Sequence, residues 1–114
     1  IDAKQCISKK DFGSLAEIIM RESNELHASC AASFPPIFYL NDTSRMIINA
    51  IHELNEQHGK NIAAYSFDAG PNPFIFTEKQ NETTVIDFLV NLGFSRPIMT
   101  VAKIAPGISV QFIE

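Results

Sequence analysis

The chain has 114 residues, of which 46% are hydrophobic and 19% are charged, and its formal net charge at pH 7 is −4. This length fits a single globular domain, and the composition excludes a collagen, a mucin-like stalk and a wholly disordered segment. The acidic balance argues against binding of nucleic acid through phosphate charge, and no apolar run is long enough to span a bilayer.

The first predicted element is an amphipathic helix from Asp11 to about Cys30. Apolar residues recur along it at spacings of three to four, the pattern of a helix with one buried face. These residues are Phe12, Leu15, Ile18, Ile19 and Leu26. We expect residues 1–10 to form an earlier turn of the same helix or a frayed end. Because the sequence starts without Met and without a signal-peptide core, we expect a processed product or a piece of a longer polypeptide.

The two cysteines, Cys6 and Cys30, both fall within this helical stretch. A continuous helix would hold them roughly 36 Å apart, whereas a disulfide needs Cα atoms about 4.4–6.8 Å apart. We therefore expect two free thiols and a cytoplasmic protein. A buried structural role for Cys30 is favoured over a nucleophilic one.

A proline-containing connector, residues 33–40, follows the helix. Its adjacent prolines, Pro35 and Pro36, exclude a helix because each lacks an N–H and has a fixed φ. We predict an extended, largely buried segment. A second helix is predicted after Asn41–Ser44, where all four residues are good N-caps, and Gly59 is expected to end it.

Two antiparallel strands joined by a loop are predicted next, then a third helix and two more strands. The predicted strands are Ile62–Phe67, Pro73–Thr77, Ile98–Ile104 and Ile108–Ile113, the loop is Asp68–Asn72, the helix is Asn81–Leu92, and the last two strands are split by Ala105–Gly107. This order predicts an α+β fold, with helices packed on one face of a mainly antiparallel sheet and one domain over residues 1–114.

Most motifs that would indicate a reaction are missing from the sequence. It has no phosphate-binding loop of the GxxxxGK[ST] or GxGxxG type and no GxSxG serine elbow. The histidines, His27, His52 and His58, lack the spacing of a metal site, so we predict surface or supporting roles for them and no metal ligands. The N-terminus of the second helix could bind an anion, although capping alone explains its residues.

The densest group of special residues is the loop Asp68–Asn72. Gly70 permits a positive φ or a close approach to a ligand, and Pro71 makes the loop rigid. Asp68 follows an apolar strand, where partial burial would change its pKa. The pattern fits a positioned carboxylate beside a binding loop, and on spacing alone it fits an ordinary hairpin turn better.

Three segments together resemble the diphosphomevalonate decarboxylase family, also called mevalonate diphosphate decarboxylase. They are Glu22–Cys30, Ser33–Ile37 and Ala64–Asn72. Their order and separations match the family, which belongs to the superfamily of galactokinase, homoserine kinase, mevalonate kinase and phosphomevalonate kinase. The resemblance is strong from Lys10 to Phe76 and weaker from Thr77 onward.

The resemblance implies an ATP- and Mg²⁺-dependent reaction on mevalonate 5-diphosphate, in isoprenoid and sterol biosynthesis. The tertiary 3-hydroxyl is phosphorylated, and loss of that phosphate with CO₂ gives isopentenyl diphosphate. The catalytic aspartate of the family corresponds here to Asp68, which would take or orient the proton of the hydroxyl. Ala69, Gly70, Pro71 and Asn72 would shape the loop that closes on the substrate.

The resemblance also implies a partner domain. The chain resembles the C-terminal domain, and the N-terminal domain that mainly binds ATP and Mg²⁺ is missing from it. We therefore expect the chain alone to be inactive, to expose an apolar patch where the other domain packs, and to come from a cytoplasmic homodimer without nucleic-acid or membrane partners.

Two alternatives remain open from the sequence. The first stays in the superfamily, as a phosphomevalonate decarboxylase or a kinase that phosphorylates without decarboxylation. The second is a stand-alone α+β module for binding or dimerisation, without chemistry. The match of Asp68 and its loop to the family motif disfavours a kinase without decarboxylation. It also disfavours a non-catalytic module, in which we would not expect this loop to be retained.

Overall fold

The computed structural model of the chain describes residues 2–94, 98–105 and 108–112. These residues form four α-helices, a short 3₁₀ turn and four β-strands. The helices are α1 (Ala3–Ser8), α2 (Phe12–Ala32), α3 (Asp42–His58) and α4 (Glu82–Asn91), and the 3₁₀ turn is Lys79–Asn81. The strands are β1 (Ala63–Phe67), β2 (Pro73–Glu78), β3 (Ile98–Ala105) and β4 (Ile108–Phe112). No helix among the described residues has the length and apolar character needed to cross a membrane.

The strands form one antiparallel sheet in the order β1-β2-β4-β3. The predicted hairpin is confirmed, and its register places Tyr65 opposite Ile75. The α+β class is also confirmed. Ala105, predicted in the turn before the last strand, pairs with Ile108 at the end of β3. The rest of that predicted turn and Ile113 lie outside the described residues.

The core lies between the sheet and the helices. Alternate residues of β2, namely Pro73, Ile75 and Thr77, are buried, and they lie opposite Phe67, Tyr65 and Ala63 of β1. Directly opposed residues share one face of an antiparallel pair. That face is covered by α2 and α3. Asn24 of α2 and His52 of α3 both contact the Tyr65 hydroxyl. The helices therefore fix β1, and with it the residues that follow β1 in the sequence.

The N-terminal residues form a separate helix, which corrects the prediction of an earlier turn of α2 or a frayed end. Asp2 and Gln5 form a capping box for the separate helix α1. The backbone then adopts the left-handed conformation at Lys10, whose φ is 55°, and Asp11 caps α2 by accepting a hydrogen bond from the Ser14 N–H at 3.1 Å. An N-cap side chain starts a new helix because it satisfies amides that have no partner within the helix. Both cysteines are free thiols; Cys6 is buried and Cys30 is half-buried.

The connector between α2 and α3 is exposed, so the prediction of a buried segment is wrong. Phe34 is fully exposed, and Phe38 keeps 75% of its surface accessible. Prolines fix the extended backbone of this segment, but burial needs a surface to pack against. The described residues do not cover it. An exposed apolar segment of this kind is typical of a surface that contacts another domain or protein.

Both ends of α3 form as predicted. Asn41 accepts a hydrogen bond from the Ser44 N–H at 2.8 Å, and its own N–H donates to the Ser44 hydroxyl at 3.2 Å. Gly59 ends the helix in the left-handed region, with a φ of 66°. Capping therefore accounts for the polar residues at the start of this helix.

A polar chain links the two long helices through the first strand. The Tyr65 hydroxyl, in a residue without exposed surface, donates to Asn24 Oδ1 of α2 at 2.9 Å. The Tyr65 hydroxyl oxygen also lies 3.0 Å from His52 Nε2 of α3. Burial raises the pKa of Tyr65 above its ordinary value of 10.0, and the hydrogen bond to Asn24 acts in the opposite direction.

We expect Tyr65 to make the chain lose stability at high pH. Because the pKa of Tyr65 is raised in the folded state, the folded state favours the neutral phenol. The resulting contribution to the free energy of unfolding is complete below the ordinary pKa and is lost as the pH rises through the folded pKa. Urea titrations between roughly pH 8 and pH 11 should show this loss in the wild type and a smaller one in Tyr65→Phe. If the free energy of unfolding fell equally with pH in the wild type and in Tyr65→Phe, the expectation would be contradicted.

Candidate functional site

The predicted site residues come together in the loop between β1 and β2. Asp68, Ala69, Gly70, Pro71 and Asn72 are consecutive and connect the two strands of the hairpin. Within the loop, the Gly70 N–H donates to the Asp68 carbonyl oxygen at 2.9 Å. The structure therefore shows the predicted hairpin loop.

Asp68 is exposed, so the expected partial burial of its carboxylate is wrong. The cause is the position of the strand end. Phe67 is the last residue of β1 and is 1% exposed, and the chain leaves the cover of the helices at the next residue. The Asp68 carboxylate makes no ion pair with any residue in the described part of the chain.

Gly70 does not have the positive φ that is one of the two features expected from the sequence. A Cβ built on it would find no atom within 4 Å among the described residues. Nothing in this part of the chain therefore requires glycine at this position. The open space next to the Gly70 backbone remains accessible to a molecule from outside.

An open groove of about 340 Å³ lies beside Asp68. Apolar side chains of α2 and β2 form part of its wall, and two carboxylates lie along it. The lining residues are Ile19, Glu22, Ser23, Leu26, Ser66, Phe67, Asp68 and Phe76. Such a groove can hold an apolar carbon skeleton while a carboxylate reaches a hydroxyl group of the bound molecule. The sequence analysis did not single out Glu22 as a site residue.

Buried polar side chains hold the backbone at both ends of the loop. The Ser23 hydroxyl accepts from the Phe67 N–H at 3.0 Å, and His27 Nε2 lies 2.7 Å from the Phe67 carbonyl oxygen. At the other end, the Ser44 hydroxyl donates to the Pro71 carbonyl oxygen at 2.8 Å. The residues next to Asp68 and Asn72 are therefore fixed by α2 and α3.

The roles of Ser23 and His27 were missed because Leu26 was assigned to the buried face of the helix. In the structure Leu26 is 47% exposed, while Ser23 and His27 are buried. They continue the buried face through Leu15, Ala16 and Met20. Two polar residues four apart on an apolar face could have indicated buried hydrogen bonds, because positions i and i+4 share one face of a helix.

The three histidines do not meet in the structure. His27 contacts the end of β1, His52 contacts Tyr65, and His58 Nδ1 lies 3.0 Å from the Leu54 carbonyl oxygen in its own helix. Among the described residues, no group of three or more His, Cys, Asp or Glu side chains could hold a metal ion.

The sequence model of the mevalonate 5-diphosphate decarboxylase C-terminal domain matches residues 1–109. The match extends past Thr77, where the resemblance of the motifs becomes weaker. The diphosphomevalonate decarboxylase of Debaryomyces hansenii is 55% identical over 85 residues, which are 75% of this chain and 22% of that protein. That of Rattus norvegicus is 48% identical over 93 residues, which are 82% of this chain and 22% of that protein. The chain thus spans less than a quarter of either relative.

Solved structures of related proteins have the same fold. Mevalonate diphosphate decarboxylase from Staphylococcus aureus superposes with a TM-score of 0.75 at 31% identity, over 98% of this chain and 30% of that one. A structure named as MDDEF in complex with MVAPP, AMPPCP and magnesium gives 0.74 at 26% identity, over 95% of this chain and 32% of that one. The similarity thus covers nearly all of this chain and about a third of each solved protein.

Proposed function

The chain belongs to the family of mevalonate 5-diphosphate decarboxylase C-terminal domains, and we propose that it is the C-terminal domain of an ATP-dependent diphosphomevalonate decarboxylase. That enzyme would convert mevalonate 5-diphosphate and ATP to isopentenyl diphosphate, ADP, phosphate and CO₂. The observation that carries the proposal is the exposed Asp68 carboxylate beside an open groove, on a loop held at both ends. The names of the relatives favour this function over that of a kinase without decarboxylation.

Asp68 is proposed to accept or orient the proton of the 3-hydroxyl group of the substrate. A tertiary alcohol is a weak nucleophile, and a carboxylate within hydrogen-bond reach helps it attack a phosphoryl group. The remaining catalysis of phosphoryl transfer consists mostly of positioning and of neutralising charge. Ala69, Gly70, Pro71 and Asn72 would form the wall that closes on the substrate, and the open space beside Gly70 would admit it.

ATP and Mg²⁺ are proposed to bind mainly to a partner domain. Among the described residues, no group of three or more His, Cys, Asp or Glu side chains could hold a metal ion, and the carboxylates of the groove would need further oxygen ligands from the nucleotide and from water to bind Mg²⁺. Asp68 and Glu22 give the groove negative charge, and this charge would repel a diphosphate unless cations from elsewhere offset it. We therefore assign the nucleotide and the diphosphate group to an N-terminal domain of the same polypeptide.

The exposed connector, residues 33–40, supports the proposal that a partner domain packs against this chain. Phe34, Ile37 and Phe38 are apolar and are 101%, 46% and 75% exposed, respectively. A domain packed over them would remove this apolar surface from water, which stabilises the assembly by about 25 cal/mol per Å². We also propose that the full polypeptide is a cytoplasmic homodimer, which light scattering of the purified protein and cell fractionation would test.

The function is tested by two measurements on the polypeptide that contains this chain. Intact mass is expected to be well above 12.7 kDa, near the size of a two-domain enzyme. The purified full polypeptide is expected to release CO₂ from mevalonate 5-diphosphate only when ATP and Mg²⁺ are present, and the 114-residue chain alone is expected to release none.

Other results would select the alternatives. ADP formation without CO₂ would identify a kinase, and faster turnover of mevalonate 5-phosphate than of the diphosphate would identify a phosphomevalonate decarboxylase. A native product of 12.7 kDa without a separate N-terminal subunit would identify a stand-alone module.

A further inference from the structure

The loop that carries Asp68 is attached to the two long helices by three side chains. Ser23 and His27 of α2 bond the N–H and the carbonyl oxygen of Phe67, the residue before Asp68. Ser44 of α3 bonds the carbonyl oxygen of Pro71, the residue before Asn72. All three bonds end on the backbone, so they constrain the path of the loop whatever its side chains are.

All three of these side chains are polar and buried. Ser23, His27 and Ser44 are 5%, 9% and 0% exposed. Burying a polar group costs free energy unless it finds a hydrogen-bond partner. Each of the three bonds the same hairpin, at the last residue of β1 or in the loop, and Ser44 also bonds Asn41 at the cap of α3. The placement therefore favours control of the loop over general packing.

The hydrogen bond of His27 defines its tautomer. Because a carbonyl oxygen only accepts, Nε2 must carry the proton and donate to Phe67. In the neutral ring Nδ1 then carries a lone pair, and it is buried without a hydrogen-bond partner among the described residues. The ring packs edge-on against Phe67 and Tyr39. His27 therefore has one polar contact in this part of the chain, and that contact is with the backbone next to Asp68.

We propose that Ser23, His27 and Ser44 are positioning residues that hold the Asp68 carboxylate in place over the groove. The inference rests on the proposed function, in which Asp68 acts on the substrate hydroxyl. A carboxylate that acts on a bound proton must stay within hydrogen-bond reach of it. Displacement of a catalytic group by about 1 Å costs roughly 10²-fold in rate, so loss of these bonds should lower turnover more than substrate binding.

Three variants of the full polypeptide, His27→Leu, His27→Gln and Ser44→Ala, test the proposal. Leucine removes the donor while filling the space, and glutamine replaces the donor near the position of Nε2. Ser44→Ala removes the bond at the other end of the loop. It keeps the bond from the residue 44 N–H to Asn41 Oδ1 and loses the one from the Asn41 N–H to the Ser44 hydroxyl. His58→Leu is the matched control, because its contact stays within α3. The measurements are kcat, KM and hydrogen exchange of a peptide covering residues 67–72, with a peptide from α4 as internal reference.

We expect His27→Leu and Ser44→Ala to lower kcat by roughly 10- to 100-fold with KM changed less than about threefold. The loop peptide should exchange about tenfold faster while the α4 peptide is unchanged, as expected for a local opening. His27→Gln should recover kcat to within about threefold of the wild type, because the hydrogen bond to the Phe67 carbonyl oxygen is restored.

Three results would overturn the proposal. One is a kcat in both His27→Leu and Ser44→Ala that equals that of the control. Another is unchanged exchange of the loop in both variants, and the third is faster exchange of α4 and the loop together, which indicates general destabilisation. If Asp68→Asn keeps full activity, the role of Asp68 fails instead, and the exchange data then show separately whether the loop is held.

Discussion

Replacing Asp68 with Asn in the full polypeptide is expected to lower turnover by roughly 10²–10⁴-fold, about 3–6 kcal/mol of barrier. The amide keeps the shape of the carboxylate and can still accept a hydrogen bond, but it cannot take up the proton of the substrate hydroxyl. The rate of ATP-dependent CO₂ release with mevalonate 5-diphosphate gives the measurement. Because Asp68 is exposed and forms no ion pair among the described residues, the thermal midpoint should shift by less than about 2 °C.

Asp87→Asn is the matched control for this change. Asp87 is also exposed and lies on α4, away from the groove residues. The substitution removes the same charge, so a general electrostatic effect would appear in both variants. Turnover of Asp68→Asn within tenfold of the wild type would reject Asp68 as the base. Equal losses in the two variants would reject it as well.

Replacing Asn55 with Ala is expected to destabilise the 114-residue chain by about 2–4 kcal/mol. Asn55 is 5% exposed, and its side chain makes three hydrogen bonds to the backbone at the start of the sheet. Its Oδ1 accepts from the N–H groups of Ile62 and Ala63 at 2.8 and 3.1 Å, and its Nδ2 donates to the Ala63 carbonyl oxygen at 2.9 Å. Alanine leaves these groups buried and without this partner.

Urea unfolding measures the effect, with Asn49→Ala as control. Asn49 is in the same helix but exposed, so the control matches the change in helix propensity without touching the sheet. We expect the control to stay within about 0.5 kcal/mol of the wild type. A similar midpoint for both variants would mean that Asn55 does not hold the first strand on α3. That outcome would also weaken the account of how α3 positions the loop after the strand.

Local signals in the sequence predicted most of the element order. The N-cap at Asn41 and the C-terminal Gly59 act within one turn of α3, so their effect does not depend on the rest of the chain. The hairpin around Asp68–Asn72 is likewise local, since the alternation of β2 and the turn residues define it. The sequence analysis begins the helix at Asp11 without identifying its side chain as a cap, and so it does not predict α1 as a separate helix.

The sequence by itself determined the class of the fold, the composition of the candidate loop and, through three motifs, the resemblance to a family. These depend on backbone preferences, on hydrophobic periodicity and on residue identity along short segments. Only the tertiary structure decided that the connector at Phe34 is exposed, that Asp68 is exposed beside a groove, and that Ser23 and His27 bond to Phe67. Those partners lie 44 and 40 residues apart in the chain. Their contact depends on how α2 packs across β1, and local preferences do not encode that packing.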